Sequence, residues 1–291
     1  MTDSLKLALP NKGRLSDPAI DLLEQAGFHL DVTHERKLQA HTENGEIKVL
    51  FVRTSDIAEF VEEGVADAGV TGLDQVKEAQ ADVEQMLGLG FGSCRLMLAV
   101  PETTDWSGIK DVEDGVRVAT SFPTITRQWF DERGIEIDLV PVSGATEITP
   151  HLGVADLVVD LVSTGSTMAA NSLEPVETIL DSQAVFVANR DSLADEDTGE
   201  RLQEFVWVME SVLEAEDSRY LMANVPREKI DTVREMLPGL SSPTVLDLLD
   251  RDEMVAVHAV VPEDDVFGLV RGLKEVDAEG ILVTPIERLV P

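Results

Sequence analysis

Short apolar runs alternate along the chain with amphipathic stretches, and this pattern predicts a layered α/β protein. The run LKLAL indicates a strand, and Ser16-Asp17-Pro18 indicates the start of a helix that ends near Gly27. In LQAHTENGEIKVLFV, Asn44-Gly45 tolerates positive φ and therefore predicts a hairpin. The elements expected in this first lobe are strands at 5–9, 38–52, 68–71 and 95–100 and helices at 16–27 and 57–63.

The same alternation resumes at Val116 and predicts a second lobe. Gly134 ends the stretch FPTITRQWFDERG, so a helix is expected between two strands. The expected elements are strands at 116–120, 135–142 and 156–162 and helices at 122–134 and 145–153. A strand at 182–189 and a helix at 198–216 follow, and the pattern alone does not say which lobe they join. We assign residues 1–100 to the first lobe, completed by 182–217, and residues 101–181 to the second.

Beyond Asp217 the chain changes to a compact series of elements that runs from YLMANV to ILVTPI in the order βαββαβ. This order predicts a ferredoxin-like domain of about 70 residues over 218–291. No residue pattern in this domain indicates chemistry. By analogy at the level of fold, we expect it to regulate or oligomerise the protein rather than to catalyse.

The charge of the chain narrows the classes of partner. It has 56 acidic and 23 basic residues, a formal net charge of −33, and 43% hydrophobic residues. Because apolar periodicity continues throughout, the acidic surplus is expected on a folded surface, which is typical of a halophilic protein. Nucleic acids and anionic membranes are bound by clustered cations, so neither is an expected partner.

The cysteine count and the apolar segments bear on cellular location. Cys94 is the one cysteine, which excludes an internal disulfide framework and a cysteine-rich zinc site. It is most simply a small buried residue, and a reactive thiol is the alternative. The start MTDSLKLALPNKGR lacks the features of a signal peptide, and no apolar stretch approaches the ~18 residues of a membrane span. We therefore expect a cytoplasmic protein.

The segment DLVVDLVSTGSTMAANSL joins an apolar strand to the start of a helix. Backbone N–H groups at a helix start attract anions, and Gly165 lets the backbone fold closely around a phosphate. Asp160 in the strand could accept hydrogen bonds from two ribose hydroxyls. A helix cap, with Asp160 bonded to nearby backbone, explains the same residues equally well. The hydroxyl donors of this loop are Ser163, Thr164, Ser166 and Thr167.

Cationic residues follow three predicted strands, at the place where α/β sheets bind ligands. They are Lys12-Gly13-Arg14, Arg53 and Arg95. Singly, each is more simply a surface charge, but together they favour one anionic cleft. The segment TSFPT, between a strand and a helix, is either a second anion cradle or a plain helix cap. Histidine spacing indicates no metal site, so any divalent ion would arrive with phosphates and its ligands are unassigned.

At this point the chain resembles the ATP phosphoribosyltransferases, the family that begins histidine biosynthesis. The most specific match runs from Glu147 through Asp160 to Gly165-Ser166-Thr167-Met168. The resemblance covers essentially the whole chain. The other matching segments are LALPNKGRLSDPAIDLLEQAG, VADAGVTGLD, LGFGSCRLMLAVP and VRVATSFPTIT, with ANVPREKIDTVREMLPGLSSPTV and the segment after it resembling the extra domain of the long form.

The resemblance implies a two-lobed, periplasmic-binding-protein-like catalytic portion with its active site between the lobes. It also implies a ferredoxin-like domain that binds histidine as feedback inhibitor. The implied enzyme transfers phosphoribose from phosphoribosyl pyrophosphate to N1 of ATP, with Mg²⁺, and releases pyrophosphate. Because adenine N1 is itself nucleophilic, no residue is assigned as acid or base. The long form is expected to form dimers and hexamers without a separate regulatory subunit.

The same resemblance implies roles for individual residues. Asp160 would contact the ribose hydroxyls, and Ser163, Thr164, Gly165, Ser166 and Thr167 would hold the 5′-phosphate. Glu147, at the start of the motif, is a further candidate for binding phosphoribosyl pyrophosphate. The expected nucleotide and pyrophosphate residues are Lys12, Gly13, Arg14, Arg53, Arg95, Ser121 and Phe122. Phe122 stands where the family would have Tyr, which removes one hydroxyl contact.

The effector site and a competing function complete the expectations. Ser241, Ser242 and Thr244, in the SSPTV turn, are the candidates for histidine binding, although a plain turn cap explains them as well. The alternative function is a non-enzymatic protein that binds or senses a small anion on the same two-lobed fold.

Overall fold

The computed structural model describes residues 4–31, 38–106, 108–163, 166–237 and 242–290, except for the side chains of residues 166 and 167. These residues form two compact units, Met1–Glu204 and Phe205–Pro291. The boundary lies inside the helix Glu196–Glu216 rather than at residue 217, where the sequence pattern puts it. The second half of that helix belongs with the C-terminal unit, since the Leu289 amide donates to the Ser211 carbonyl at 2.7 Å.

The first unit is built from two sheets and the helices around them. In chain order its strands are β1 (Leu5–Pro10), β2 (Gln39–His41), β3 (Ile47–Val52), β4 (Ala68–Gly72), β5 (Val83–Gly88), β6 (Cys94–Pro101), β7 (Val116–Thr120), β8 (Ile137–Pro141), β9 (Leu157–Val162), β10 (Leu173–Ser182) and β11 (Ala184–Asn189). Its helices are α1 (Ser16–Gln25), α2 (Thr54–Glu62), α3 (Leu73–Ala79), α4 (Pro123–Asp131), α5 (Ser166–Ala170), α6 (Arg190–Ala194) and the start of α7 (Glu196–Glu216), with 3₁₀ turns at Ile109–Asp111 and Thr146–Ile148.

The first sheet has the strand order β2-β3-β1-β4-β11-β5. Strands β4 and β11 are buried along their whole length, because they lie inside the sheet and carry small and apolar residues. A side chain at Gly69 would place its Cβ 2.8 Å from the Ala8 carbonyl oxygen, so the approach of β4 to β1 requires glycine there. Strand β1 runs parallel to β3 and β4, and the carboxyl ends of all three strands therefore meet at one edge.

The second sheet has the order β10-β6-β9-β7-β8, which places β9 at its centre between antiparallel β6 and parallel β7. Strand β6 was expected in the first lobe, but both of its edges pair within this second sheet. Strand β10 was not predicted. It is an edge strand with register irregularities beside Pro175 and Thr178, and its charged residues hide the alternation typical of a strand.

The chain passes between the two sheets twice, through residues 89–93 and again at Gln183. Gly90 and Gly92 in the first crossing have φ of 74° and 68°, a region that favours glycine. Two α/β lobes joined by two short crossings are the arrangement of the periplasmic-binding-protein-like fold. This part of the predicted fold class is confirmed.

The C-terminal unit contains a four-stranded sheet with helices packed on one face. Its elements are β12 (Ser218–Pro226), α8 (Ile230–Met236), β13 (Thr244–Asp247), β14 (Met254–Pro262), α9 (Val266–Glu275) and β15 (Glu279–Pro285). The order β13-β14-β12-β15, with antiparallel neighbours, is that of a ferredoxin-like domain, as predicted. Alternate residues of β12 face the core, where Val233 of α8 and Leu273 of α9 are fully buried.

Candidate active site

Strand β9 carries Asp160 into the middle of the second sheet. Side chains alternate along a strand, so Asp160 shares a face with Val158 and Val162. Those two valines form one apolar cluster with Met168 of α5 and Met97, the residue that pairs with Asp160 across β6 and β9. The half-buried carboxylate therefore lies in largely apolar surroundings on the face that α5 covers.

The environment of Asp160 disfavours its charged form. Burial raises the pKa of Asp160, and the negative charge of Glu147 acts in the same direction. The Leu161 amide donates to Asp160 Oδ1 at 2.7 Å, and this bond and one from the Thr146 side chain oppose the rise in pKa. Among the described residues no cationic side chain pairs with Asp160. Such a carboxylate can accept further hydrogen bonds from a ligand.

The turn before β9 carries Glu147 near enough to Asp160 for its negative charge to raise the pKa of that carboxyl. Ala145 adopts the left-handed conformation with φ of 50°, and the 3₁₀ turn Thr146–Ile148 follows it. The buried Thr149 hydroxyl donates to the Thr146 carbonyl at 2.7 Å and fixes the turn. This segment was predicted as a short helix, and a 3₁₀ turn is what forms.

An open cavity of about 420 Å³ lies where the two crossings meet the end of β9. Two predicted residues line it, Arg95 and Ser163, from the two neighbouring strands of the second sheet. Thr164 and Gly165 lie outside the described residues, while Ser166 and Thr167 begin α5. The remaining lining residues are Leu73, Ser93, Cys94, Val162, Asp181, Ser182 and Gln183.

Arg14 connects the first lobe to this cavity. Its Nη2 atom donates to Cys94 Sγ at 2.7 Å, and Cys94 is both a buried residue and part of the cavity lining. Lys12 and Gly13 lie exposed in the same loop after β1, and Gly13 has φ of 88°. Arg53 follows β3, whose last residue pairs in register with the last residue of β1. The structure thus brings the predicted cations of β1 and β3 to one edge.

The turn between β7 and α4 holds the other two nucleotide candidates. Ser121 is half-buried, and the Phe122 amide donates to Thr120 Oγ1 at 2.9 Å. The Phe122 ring is 5% exposed and packs in the core of the second lobe with Trp129 rather than lining the cavity. The first free amides of α4 are bound by Glu78, so the proposed second anion cradle holds a carboxylate of the protein itself.

Asp74 is a residue that sequence reasoning missed. It is 3% exposed, its amide donates to Ser182 Oγ at 3.0 Å, and its carboxylate accepts from the same hydroxyl. Because Ser182 lines the cavity, this pair ties α3 to the second crossing. The available signal was an aspartate two residues after the buried strand AGVTG, in the matching segment VADAGVTGLD.

The effector candidates belong to the C-terminal unit. Ser241 lies outside the described residues, while Ser242 and Thr244 are exposed. Thr244 pairs across the sheet with His258, whose Nδ1 is 2.5 Å from the Tyr220 hydroxyl. These polar groups lie together on the face of the sheet opposite the helices, because their positions alternate with the buried ones.

In the part of the chain that the structure describes, no three His, Cys, Asp or Glu residues are grouped to hold a metal ion. Mg²⁺ commonly uses only one or two carboxylates together with substrate phosphates, and Asp181 is a carboxylate in the cavity. None of the described helices is both long and apolar enough to span a bilayer.

Comparison with known proteins gives the family. Residues 53–211 match the model HisG, ATP phosphoribosyltransferase, and residues 215–288 match HisG, C-terminal domain. Proteins named ATP phosphoribosyltransferase from Gemmatimonas aurantiaca and Haloarcula marismortui are 49% and 47% identical, over 99% and 98% of this chain and 100% of their own length.

A solved structure agrees with these matches. It is described as an ATP phosphoribosyl transferase (HisG:HisZ) complex from Thermotoga maritima, with 30% identity and a TM-score of 0.63. The match covers 72% of this chain and 98% of that chain. The chain belongs to the ATP phosphoribosyltransferase family.

Proposed function

We propose that the protein transfers the phosphoribosyl group of phosphoribosyl pyrophosphate to N1 of the adenine of ATP, as the first step of histidine biosynthesis. Family membership supports the reaction. The observation that carries the assignment of the site is Asp160, a half-buried carboxylate on the central strand whose last residue lines the cavity. The coarser statement, that the protein is a transferase, rests on the family alone.

The ribose is bound by Asp160 in this proposal. Two hydroxyl donors from the ribose would supply the hydrogen bonds that the charged carboxylate lacks, since burial raises its pKa. Glu147, whose charge also raises the pKa of Asp160, is proposed as a second acceptor for the sugar. Residues 163–167 would bind the 5′-phosphate through hydroxyls and backbone amides, and Ser163 on the cavity wall supports this placement.

Cations of both lobes would bind the pyrophosphate and the nucleotide. Arg95 lines the cavity, and Arg14 reaches the cavity wall through Cys94. Lys12, Gly13 and Arg53 lie at the same edge of the first sheet and are proposed for the triphosphate of ATP. Ser121 is retained as a nucleotide contact. Phe122 is left out, because its ring packs in the core.

The chemistry requires alignment and charge stabilisation. In such a transfer, positive charge develops on C1 of the ribose and negative charge develops on the departing pyrophosphate. Asp160 and the loop after β9 would hold the ribose in place, while Arg14 and Arg95 would stabilise the leaving group. Mg²⁺, when bound, neutralises phosphate charge, and Asp181 is the cavity carboxylate suited to it. Adenine N1 attacks as a free base, so no general base is assigned.

We propose histidine as an inhibitor that binds the C-terminal unit. Thr244 and the neighbouring His258 and Tyr220 form a polar group on the sheet face opposite the helices, which supports an effector site there. Ser242 is exposed in the segment just before β13. A homo-oligomer, as dimer and hexamer, belongs to the same proposal. In full-length protein, Thr244→Val should raise the histidine concentration needed for half inhibition about tenfold, since a lost hydrogen bond to a charged ligand is worth that factor. An unchanged inhibition curve would remove Thr244 from the site.

The reaction is tested with purified protein, ATP, phosphoribosyl pyrophosphate, Mg²⁺ and a pyrophosphatase in high salt. Formation of phosphoribosyl-ATP, followed by its absorbance and by mass spectrometry, is the expected result. Absence of product from protein whose folding is verified by circular dichroism would contradict the proposal. It would leave the small-anion binding protein as the better description.

A further inference from the structure

The amino end of α4 has donors that nothing in its own lobe accepts. Pro123 has no N–H, and the Thr126 amide already donates to the Phe122 carbonyl at 3.0 Å. The two remaining free amides belong to Thr124 and Ile125. The residue before the helix provides no side-chain cap.

One carboxylate from the other lobe accepts both of these hydrogen bonds. The Thr124 amide donates to Glu78 Oε1 at 2.9 Å, and the Ile125 amide donates to Glu78 Oε2 at 3.1 Å. Glu78 is a half-buried residue of α3, a helix of the first lobe. Its negative charge also meets the positive end of the α4 dipole, which strengthens both bonds.

Helix α3 is held at its other end as well. The Leu73 amide donates to the Gln183 carbonyl at 3.0 Å, and Asp74 shares two hydrogen bonds with Ser182. The helix therefore runs from the second crossing, beside the cavity, to the start of α4 in the second lobe. Its two anchored ends make it a strut between the lobes.

We propose that Glu78 is a positioning residue that sets the separation of the two lobes across the cavity. This separation fixes how far Arg14 and Lys12 of the first lobe stand from Asp160 and the loop after β9. The role in catalysis rests on the proposed function, whereas the strut itself does not. Without Glu78, substrate binding must restrict the lobes to the productive separation, and the apparent affinity falls by the fraction of molecules that occupy it.

The first readout is the distance between the lobes, which does not depend on activity. Spin labels are placed on exposed residues of α2 and α4 through Ser55→Cys and Asp131→Cys. The buried Cys94 is left in place, and protein without the two added cysteines is the control for labelling of Cys94. Pulsed electron paramagnetic resonance should show one narrow distance distribution in the parent protein. Glu78→Ala should broaden or shift it. Glu59→Ala, which removes the same charge from an exposed position on α2, should leave it unchanged.

The second readout is steady-state kinetics of the unlabelled variants. Glu78→Ala should raise the KM of both substrates about fivefold, with kcat within about twofold of the parent. Glu78→Gln retains one acceptor and the size of the side chain, so its KM values should lie between those of the parent and of Glu78→Ala. This variant replaces Glu78→Ala in the test if Glu78→Ala folds poorly. If Glu78 contributed only to stability, Glu78→Ala would lower the melting temperature without raising KM at nearly constant kcat.

Each outcome decides the proposal. An unchanged distance distribution in Glu78→Ala overturns the strut. A changed distribution with unchanged KM values overturns the positioning role. If the parent protein makes no phosphoribosyl-ATP but Glu78→Ala still changes the distribution, the proposed function fails and the strut is supported. Broadened distances together with raised KM values support the whole inference.

Discussion

Asp156 and Asp160 belong to one apolar segment, DLVVDLV, and differ in their hydrogen-bond partners and in the direction of their pKa shifts. Asp156, just before β9, accepts from Arg117 Nη2 at 2.7 Å and from Arg117 Nε at 3.1 Å, and the Arg117 amide donates to it as well. Asp160, inside β9, has a backbone amide and the Thr146 side chain as donors among the described residues. The first carboxylate is satisfied by the protein, and the second retains acceptor capacity.

Their pKa shifts have opposite directions for this reason. Hydrogen bonds from Arg117 lower the pKa of Asp156, while burial raises the pKa of Asp160. The presence of a cavity nearby does not distinguish the two residues. Asp156 also lines a cavity, of about 470 Å³, together with Trp106 and Asp114. An aspartate on a strand therefore indicates a binding site when the protein supplies no cation and few donors to offset its charge.

The largest expected difference between substitutions of the two aspartates is in kcat/KM. Asp160→Asn replaces one acceptor oxygen with a donor, so the ribose hydroxyls lose their orientation, and kcat/KM should fall about 100-fold. Asp156→Asn is the matched control, because it makes the same chemical change in the same segment. Its kcat/KM should stay within about twofold of the parent at a temperature where it is folded. Equal losses in the two variants would contradict the distinction.

The two substitutions should also shift the melting temperature in opposite directions, and these shifts are small. Asp160→Asn removes a half-buried charge that has no cation beside it within the described ranges, so thermal unfolding should shift upward by about 2 °C. Asp156→Asn removes a partner of Arg117. Because that pair is well exposed to solvent, the downward shift should also be only about 2 °C. Scanning calorimetry in high salt measures both, and shifts of the same sign would overturn this part of the account.

The smallest effect concerns the pH dependence of stability. The pKa of Asp160 is raised in the folded state, so the folded protein binds its proton more tightly, and the penalty from its charge fades as pH falls through that pKa. The gain from Asp160→Asn should therefore shrink toward acid pH. The pKa of Asp156 is lowered, so its stabilisation is present above the ordinary aspartate pKa and is lost below it. Melting curves of both variants between neutral and acid pH test these directions.

Sequence patterns predicted the local elements well, but they did not predict which strands pair or which distant side chains meet. Strand β9 and the hairpin at Asn44-Gly45 follow from period and turn chemistry, and both form as predicted. Strand β10 was missed because Pro175 and its acidic residues suit an exposed edge rather than a buried strand. Strand β6 was recognised, but its period does not indicate which sheet it joins.

The site divides along the same line. Arg95, Ser163 and Asp160 are predicted as site residues because each lies next to a recognisable strand end or inside one, and the structure puts Arg95 and Ser163 on the wall of one cavity. Contacts such as Asp74 with Ser182 and Glu78 with Thr124 join residues far apart in the chain, so no local pattern predicts them. Cys94 was expected to be a small buried residue, with a reactive thiol as the alternative. It is buried, yet its sulfur accepts a hydrogen bond from Arg14 at the wall of the cavity.

The most direct test of the central claim is the affinity for phosphoribosyl pyrophosphate with Mg²⁺, measured by isothermal titration calorimetry on the parent, Asp160→Asn and Asp156→Asn in high salt. The account predicts that Asp156→Asn binds like the parent. It predicts that Asp160→Asn binds at least about tenfold more weakly, since it loses charged hydrogen bonds to the ribose. Binding of equal strength by Asp160→Asn and the parent would contradict the claim that Asp160 holds the sugar.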